Sequence, residues 1–535
     1  MKKNIEAFWE LLYQRDITSK EQLVNEALRA VKTHKYINQE KVIDINEKNL
    51  KNRIFEAMKL VSEKESLGFF PGDRDYFLEL YDAGKNLDIL QYVIETYRND
   101  RSGTVFVPDF LLKFTSELIT VEDGRKILIA EAEKYLNGLH QFIEQYSNSE
   151  IFLTSMNWHM YKVLQTAFES FNNVRVLNIS IYRKVQMQDR FDVIVAVPTF
   201  GGKLYEEETS EDFLTRETEG VAAENLLNYI NETGRMYFIA PAKFTFTGGP
   251  MTDLRKLITD KYNVNTIFSL PEGIFRPYTG IKTYLICVSN KKADMVQVGS
   301  VDIDGETLKL AVQKHVPSHE FQKYEDWRIE LFLTEDQDGL YKFVKSEVRK
   351  VKLKEIAEIF RGKAIMKDDV KPGEFFVLNI SNLEDGEVLL DSMDTIDEEE
   401  RKLKRYELIE GDVVITCRGT VNKAAIFPRT SKKVIASANI IVIRLKKEVI
   451  PGYLKIFLES PVGARLVKSF QRGSTIMNIN PGDIGEMEVP VPDLQLQNQI
   501  AQEYMNNFSI YKETIKAATE NWTKVRNSLY DKLLD

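Results

Sequence analysis

The sequence has 535 residues, 43% of them hydrophobic and 11% aromatic, which is enough apolar material for three or four globular domains. Its formal net charge of −9 argues against a protein that coats nucleic acid through overall charge, so any DNA contact must use a local basic surface. The only cysteines, Cys287 and Cys417, lie far apart in apolar segments, which argues against a disulfide framework and, with no clustered His, against a metal site.

The first half of the chain predicts helices followed by a covered sheet. Residues 1–100 show helical periodicity with many Glu and Lys, and we expect a helical N-terminal domain there. Residues 101–295 change to short β-branched runs separated by helical segments, which is typical of a doubly wound α/β domain with a parallel sheet. These runs are RKILIA, RVLNISI, FDVIVAV, RMYFIAP, NVNTIFSL and KTYLICVS. Residues 296–350 are hydrophilic and predict a connector with some strand and helix of its own.

The second half predicts an α+β domain and a long helix. Residues 351–492 contain further β-type runs such as FFVLNIS, DVVITCRGT and NIIVIRL. Residues 493–535 form one amphipathic segment whose apolar residues recur every three or four positions. These apolar residues are Ile500, Tyr504, Phe508, Tyr511, Ile515, Ala518, Trp522, Val525 and Leu529. No apolar run is long enough to cross a bilayer, and we expect a cytoplasmic protein.

Positive charge is concentrated within residues 401–480, which hold 16 Lys and Arg against 5 Asp and Glu. A charge run is often only a solvated surface, but here it is interleaved with Gly, Ser and Thr in the segments RGT and RGSTIMNIN. Such residues suit contacts with phosphates and base edges, so we predict a DNA-facing surface. Its candidate residues are Arg418, Thr420, Lys423, Lys432, Lys433, Arg472, Ser474 and Thr475.

Two resemblances to known families cover roughly residues 100–535. The segment TGRMYFIAPAKFTFTGGPMTDLRKLITDKYNVNTIFSLPEGIFRPYTGIKTYLICVSNKK, with GTVFVPDFLLKFTSELI before it, resembles the modification subunit of type I restriction-modification systems. Residues 351–500, which include EGDVVITCRGTVNKAAIF and QRGSTIMNINPGDIGEMEVPVP, resemble one target-recognition domain of a type I specificity subunit. The resemblance implies a Rossmann-like N6-adenine methyltransferase domain, a recognition domain and a spacer helix.

The place of the cofactor motif is degenerate by comparison with that family. Active members end the first strand in a glycine-rich turn that lets the backbone approach S-adenosylmethionine, whereas this chain has the glycine-free run IAEAEKYL. The resemblance implies that Ile129, Glu131, Glu133 and Tyr135 stand where the cofactor would lie. Ser155 falls where an acidic residue holds the ribose. We therefore expect no cofactor.

The place of the catalytic motif is degenerate as well. Active relatives carry Asn-Pro-Pro-Phe or Asn-Pro-Pro-Tyr, whereas this chain has Val197, Pro198, Thr199 and Phe200. The family's Asn accepts hydrogen bonds from the flipped adenine, which a valine side chain cannot do. Phe200 keeps the aromatic ring on which such a base stacks. On a loop without catalytic function, however, we expect it to be a packing residue.

These expectations favour a sequence-specific double-stranded DNA-binding protein on an inactive N6-adenine methyltransferase frame. The alternative is an active, or partner-activated, DNA N6-adenine methyltransferase that uses S-adenosylmethionine. A third interpretation is a protein-interaction scaffold in a defence or plasmid-maintenance complex, with other restriction or defence subunits as partners. Because the chain resembles half a specificity subunit, the stripe on the last helix predicts a homodimer. Docking of that helix onto the chain's own methyltransferase-like domain is the alternative.

Overall fold

The structure is a computed structural model that describes residues 2–39, 47–72, 75–98, 105–119, 125–184, 187–205, 213–333, 339, 342–343, 346–418, 423–446, 448–471 and 478–534. It contains two compact units, Met1–Leu333 and Thr334–Asp535, which are described separately below. Within the described ranges, no helix combines the length and the apolar character needed to cross a membrane.

The first unit begins with an α-helical region. Its helices are α1 (Lys2–Tyr13), α2 (Lys20–Gln39), α3 (Glu47–Lys64), α4 (Tyr76–Ala83), α5 (Ile89–Tyr97) and α6 (Asp109–Leu118). Each helix presents one apolar face, and residues such as Phe8, Leu28 and Tyr92 are fully buried between them. Asp88 caps the start of helix α5. Its carboxylate accepts hydrogen bonds from the Leu90 and Gln91 amides at 3.0 and 3.1 Å.

A nine-stranded sheet follows, in the order β3-β2-β1-β4-β5-β7-β6-β8-β9. Its strands are β1 (Lys126–Ala130), β2 (Glu150–Thr154), β3 (Val174–Leu177), β4 (Phe191–Ala196), β5 (Ile230–Pro241), β6 (Asn263–Ser269), β7 (Thr283–Ser289), β8 (Met295–Asp304) and β9 (Thr307–Pro317). The helices between them are α7 (Leu139–Gln145), α8 (Trp158–Phe168), α9 (Thr218–Leu227), α10 (Lys243–Phe246), α11 (Pro250–Lys261) and α12 (Ser318–Phe321). Strands β3, β2, β1, β4 and β5 run parallel to one another, and β7 runs antiparallel to β5 and β6.

The register of β1 and β4 brings two loops together. Ile127 pairs with Val193 and Ala130 with Ala196, so the carboxyl ends of the two strands lie side by side. The strand order reverses between β1 and β4, and such a switch point is where open α/β sheets bind ligands. Both strands are almost entirely buried, as expected for the centre of a covered sheet.

Strands β8 and β9 lie in the stretch for which the sequence predicted a connector. They form a hairpin that continues the sheet, with Val298 opposite Ile267 of β6. Beyond them, Phe321, Trp327 and Ile329 are buried within the first unit, which extends to Leu333. This region was hard to predict because β9 is an edge strand with mostly exposed side chains and therefore lacks an apolar run.

The second unit is built from small sheets and short helices. Its strands are β10 (Lys350–Lys352), β11 (Ala357–Arg361), β12 (Val370–Leu378), β13 (Leu383–Glu384), β14 (Glu387–Val388), β15 (Asp394–Ile396), β16 (Val413–Thr416), β17 (Ala424–Ile426), β18 (Lys433–Ala436), β19 (Ile440–Leu445) and β20 (Glu488–Pro490). Its helices are α13 (Leu353–Ile356), α14 (Glu400–Leu403), α15 (Pro451–Glu459), α16 (Pro461–Ser469), α17 (Pro481–Ile484) and α18 (Leu494–Leu534). The largest sheet has the order β11-β19-β16-β17, and a second has the order β15-β12-β18.

Within the described residues, the contacts of helix α18 with the rest of its unit lie in its first half. Gln497 is fully buried and donates to the Glu448 and Pro492 carbonyls at 3.2 and 2.8 Å. Further along, the Tyr504 hydroxyl donates to Glu459 at 3.1 Å, and Lys512 pairs with Glu387. With 41 residues the helix is roughly 60 Å long. The predicted mixed α/β architecture, with a helical N-terminal region and a long C-terminal helix, is confirmed.

Candidate cofactor cleft and DNA-facing loops

The loop after β1 keeps a tight turn although it has no glycine. Glu131, the first residue after the strand, has φ 52° and ψ 55°, in the left-handed region that glycine adopts most readily. A non-glycine residue in this conformation costs on the order of 1 kcal/mol, so the surrounding contacts must stabilise it. One of them is the hydrogen bond from the Glu131 amide to the Thr154 hydroxyl at the end of β2, at 3.1 Å.

A buried lysine connects this turn with the loop after β4. Lys134, which is 5% exposed, donates from Nζ to a Glu131 carboxylate oxygen at 2.7 Å and to the Val197 carbonyl at 2.8 Å. Val197 is itself buried and directly follows β4. The side chain of Lys134 therefore lies across the switch point, between the ends of β1 and β4.

Tyr182 makes a second connection between the same two loops. Its hydroxyl donates to the Glu131 carboxylate at 2.7 Å and accepts a hydrogen bond from the Thr199 amide, also at 2.7 Å. Burial raises the pKa of Tyr182 well above its usual range, which keeps the hydroxyl a neutral donor. We refer to Glu131, Lys134 and Tyr182 as the buried triad.

The remaining residues predicted for the cofactor place are also buried. Ile129 lies in β1 and is fully buried, and Ser155 is fully buried with its hydroxyl directed to the Asn157 carbonyl at 3.2 Å. Tyr135 is 1% exposed. Neither the Tyr135 hydroxyl nor one carboxylate oxygen of Glu133 has a hydrogen-bond partner within the described part of the chain. Burial, together with the nearby Glu131 carboxylate, raises the pKa of Glu133 to about 8.

The loop corresponding to the catalytic motif is packed into the fold. Val197 and Pro198 are buried, and the Thr199 carbonyl accepts a hydrogen bond from the Thr218 hydroxyl at 2.7 Å. The Phe200 ring packs edge-on against Phe275, with 5.4 Å between the ring centroids. The backbone of this loop is thus held on both sides, by the buried triad and by the start of α9.

In the second unit, the segments that carry the predicted DNA-binding residues converge. Arg418 pairs with Asn478 as an antiparallel bridge, and the Ile479 amide donates to the Cys417 carbonyl at 2.9 Å. Arg361, at the end of β11, donates to the Asn478 side-chain oxygen at 2.7 Å and to the Ala438 carbonyl at 2.6 Å. This pairing places Arg418, two residues after β16, beside Asn478.

The other predicted DNA-binding residues fall into two groups. Thr420, Arg472, Ser474 and Thr475 lie outside the described residues. The three lysines have partners within their unit: Lys423 and Lys432 each donate to a main-chain carbonyl, of Leu383 and Leu390, at 2.7 Å, and Lys433 pairs with Glu400 at 3.1 Å. Lys432 and Lys433 stand at the start of β18, whereas Arg361 contacts Ala438, two residues beyond its other end. The strand itself spans roughly 10 Å.

Several residues of these two sites had no clear sequence signal. Lys134 and Tyr182 look like an ordinary surface lysine and an ordinary loop tyrosine, and only their three-dimensional neighbours give them a role. Arg361 offered one sequence signal, the glycine that follows it. In the structure an added Cβ at Gly362 would lie 2.2 Å from the Ala436 carbonyl oxygen, so only glycine fits there. Within the described ranges, no cluster of three or more His, Cys, Asp or Glu could hold a metal ion.

The buried carboxyl of Glu133 predicts a pH-dependent stability. An unfolded glutamate titrates near pH ~4.3, so folding takes up a proton between that pH and about 8, and the free energy of unfolding falls as the pH rises through this window. Glu133→Gln removes the ionisable group and keeps the shape. We expect it to raise the melting temperature at pH 8.5 and to change it little at pH 5, as measured by thermal unfolding.

Glu117→Gln is the matched control, because Glu117 is exposed in the same unit. It should leave the pH dependence of the melting temperature as in the parent chain. An unchanged pH dependence in Glu133→Gln would show that Glu133 is already ionised in the folded protein at neutral pH.

Two family models match the chain. The N-6 DNA methylase family matches residues 87–359, and the type I restriction modification DNA specificity domain matches residues 345–521. The first covers slightly more than half of the chain.

Curated relatives match each half separately. The methylase subunit of the type I restriction enzyme EcoEI from Escherichia coli is 37% identical over 103 residues, which is 18% of this chain and 21% of that protein. The specificity subunit of the EcoBI enzyme from Escherichia coli is 25% identical over 168 residues, 31% of this chain and 35% of that protein. The matches therefore span about a fifth and a third of these relatives.

Solved structures are similar over larger ranges. A type I methyltransferase subunit from Streptococcus thermophilus shares 13% identity over 57% of this chain and 90% of its own, with a TM-score of 0.44. The type IIG restriction endonuclease BpuSI shares 13% identity over 94% of this chain and 74% of its own, with a TM-score of 0.48. From the family models, the chain belongs to the N-6 DNA methylase family and joins a type I restriction-modification methyltransferase domain to a DNA specificity domain.

Proposed function

We propose that the chain is a sequence-specific double-stranded DNA-binding protein whose methyltransferase domain neither binds S-adenosylmethionine nor methylates adenine. The observation that carries this proposal is the buried triad, because Lys134 occupies the space between the ends of β1 and β4 and bonds the Val197 carbonyl. A cofactor in that space would have to displace a buried ion pair. Separating such a pair typically costs about 3–5 kcal/mol.

Local charge also argues against cofactor binding. Glu131 and Glu133 are buried at the turn after β1, where the family resemblance implies that the methionine end of the cofactor would lie. The carboxylate of that methionine would have to compete with Glu131 for Lys134 and Tyr182, the buried donors that Glu131 already holds. The alternative function, an active or partner-activated N6-adenine methyltransferase, requires these side chains to move when a second subunit or DNA binds.

If the methyltransferase domain binds no S-adenosylmethionine, calorimetry should detect no heat of binding, because the buried triad stays closed. The proposal also predicts no labelled methyl group on adenine after the purified chain alone is incubated with labelled S-adenosylmethionine and random duplex DNA. A type I methyltransferase subunit that is active under the same conditions is the positive control. Methylated adenine made by the purified chain alone would establish the alternative function.

DNA recognition is assigned to the second unit, at the bridge between Arg418 and Asn478. The bridge holds Arg418 beside Asn478, and specific base contacts require side chains that a rigid frame positions. Arg361 supports this bridge with hydrogen bonds to Ala438 and Asn478. A scaffold that contacts only other proteins is the remaining interpretation, and selection of duplexes from a random pool separates the two, because a protein-only scaffold enriches no sequence.

For Arg418→Ala and Arg472→Ala, we expect weaker binding of a selected duplex. Loss of a bidentate guanine contact costs about 1–3 kcal/mol and relaxes specificity at one position, whereas loss of a phosphate contact weakens all sequences and lowers the salt slope by roughly one. Fluorescence anisotropy over a salt series distinguishes these outcomes.

Arg429→Ala is the control, because this exposed arginine follows the far end of β17. If both Arg418→Ala and Arg472→Ala bind like the parent chain at every salt concentration, the DNA-facing surface lies elsewhere.

We further propose that the chain forms a homodimer through α18 and reads a site in two halves, with other restriction or defence subunits as further partners. Beyond Phe508 the apolar side chains of the helix are exposed: Trp522 by 58%, Leu529 by 51% and Ile515 by 46%. An apolar stripe of this kind is usually an interface, and the same stripe on a second copy gives a closed twofold pair. Docking of the helix onto the chain's own first unit is the alternative.

Light scattering should therefore give a dimer for the full chain and a monomer for a chain ending at Pro492. Trp522→Glu should weaken the dimer by tenfold or more, since it places a charge in the stripe. Asn527→Glu on the opposite face should leave the mass unchanged. A full chain that stays monomeric at micromolar concentration, both free and on DNA, would contradict the dimer.

A further inference from the structure

A cavity of about 630 Å³ opens in the helical region of the first unit. It lies between the turn that follows α1, one face of α2 and the turn between α3 and α4. This volume is within the range of pockets that hold small ligands, roughly 300–1,000 Å³. The cavity has no part in the cofactor cleft or in the DNA-facing loops described above.

The floor of the cavity is a buried ion pair. Arg29, which is 1% exposed, donates from Nε and Nη2 to the two oxygens of Glu26 at 3.1 and 3.0 Å. Its Nη2 also donates to the Leu67 carbonyl at 2.8 Å, which holds the turn that forms one wall. Because each carboxylate oxygen has about two acceptor positions, Glu26 can still accept a hydrogen bond from a ligand.

The walls offer flat surfaces. Phe69 is 86% exposed at the rim, next to Gly68, which has φ 79°. On the other side, the guanidinium of Arg15 lies 4.1 Å from the centroid of the Tyr76 ring and pairs with Glu79. Aromatic rings and guanidinium planes are the surfaces on which nucleobases stack. A phenylalanine left this exposed gains free energy when a ring covers it.

Amide side chains line the entrance. Asn25 is half-buried in α2, and Gln14 and Gln22 stand at the rim. The Gln22 carbonyl oxygen accepts a hydrogen bond from Ser19 at 3.0 Å, so its amino group is the part that remains to donate. Asn and Gln pair with the amino and ring nitrogen of adenine, and carboxylates accept from amino groups of bases.

The net charge of the lining favours a neutral ring over a phosphate. The lining carries two carboxylates, of Asp16 and Glu26, and two guanidiniums, of Arg15 and Arg29. Both guanidiniums already have carboxylate partners, Arg15 in Glu79 outside the lining and Arg29 in Glu26. A phosphate would find no cation left to neutralise it here, whereas an uncharged base with an amino group would find acceptors.

We propose that this cavity binds an adenine base, stacked on Phe69 and held by Asn25 and the Glu26 carboxylate. The base can come from two sources, a free nucleoside or an unpaired base of a DNA strand. The inference is independent of whether the methyltransferase domain is active, since none of its residues lies in the loops after β1 and β4.

Calorimetry on the full chain with adenosine and inosine tests the inference. Inosine has a carbonyl oxygen in place of the adenine amino group, so it should bind at least tenfold more weakly than adenosine. Phe69→Ala and Asn25→Ala should each weaken adenosine binding by tenfold or more. Tyr205→Ala, which removes an aromatic ring of 78% exposure elsewhere in the same unit, should have no effect.

Binding of a duplex with one unpaired adenine distinguishes the two sources. If Phe69→Ala weakens binding of this duplex but not of a fully paired one, the base comes from DNA. If both duplexes bind Phe69→Ala normally while adenosine binding is lost, the ligand is a free nucleoside. Equal binding of adenosine and inosine, or no adenosine binding at all, would overturn the proposal and leave a protein side chain as the occupant.

Discussion

A lysine buried between two strand ends needs anionic or carbonyl partners on every side, and in this protein Lys134 finds them in Glu131 and in the main chain of Val197. Removing an ammonium group from water is costly, so these contacts hold the loops after β1 and β4 in one arrangement. The left-handed turn at Glu131, the Tyr182 hydroxyl and the Thr199 amide all depend on that arrangement. These contacts lie at the switch point of the sheet, the place where open α/β sheets bind ligands.

The two units separate two tasks of a methyltransferase with a specificity domain. In the first unit the sheet persists with buried strands, and the loop of the catalytic motif is bonded on both sides, which suits a scaffold better than a site that must open for a flipped base. In the second unit Arg361 supports the bridge between Arg418 and Asn478 through its hydrogen bond to the Asn478 side chain. The DNA-binding proposal depends on this rigid support and does not require a cofactor.

The sequence predicted most of the architecture because strongly patterned segments depend on local periodicity. Strands β1, β4, β5 and β7 follow from their apolar runs, and α18 follows from its spacing of three and four. The sequence predicted some strand within residues 296–350 but not that β8 and β9 continue the sheet, because an edge strand with exposed side chains carries no apolar pattern. The loss of glycine after β1 indicated a changed cleft, but the role of Lys134 could not be identified, since its partner Val197 is 63 residues away. Tyr182, which donates to Glu131, is 51 residues from that glutamate. Pairing of residues 417–418 with 478–479 is likewise a long-range contact that no local pattern encodes.

One titration tests most directly whether the chain binds a specific DNA site without S-adenosylmethionine. The full chain is titrated with a selected duplex and with a scrambled duplex, each with and without saturating S-adenosylmethionine. A cofactor that binds the protein in a way coupled to DNA must change the DNA affinity, because coupling between two ligands is reciprocal. We expect the selected duplex to bind about 10³-fold more tightly than the scrambled one, and S-adenosylmethionine to change neither affinity. Equal affinity for both duplexes, or a cofactor-dependent change in either, would contradict this expectation.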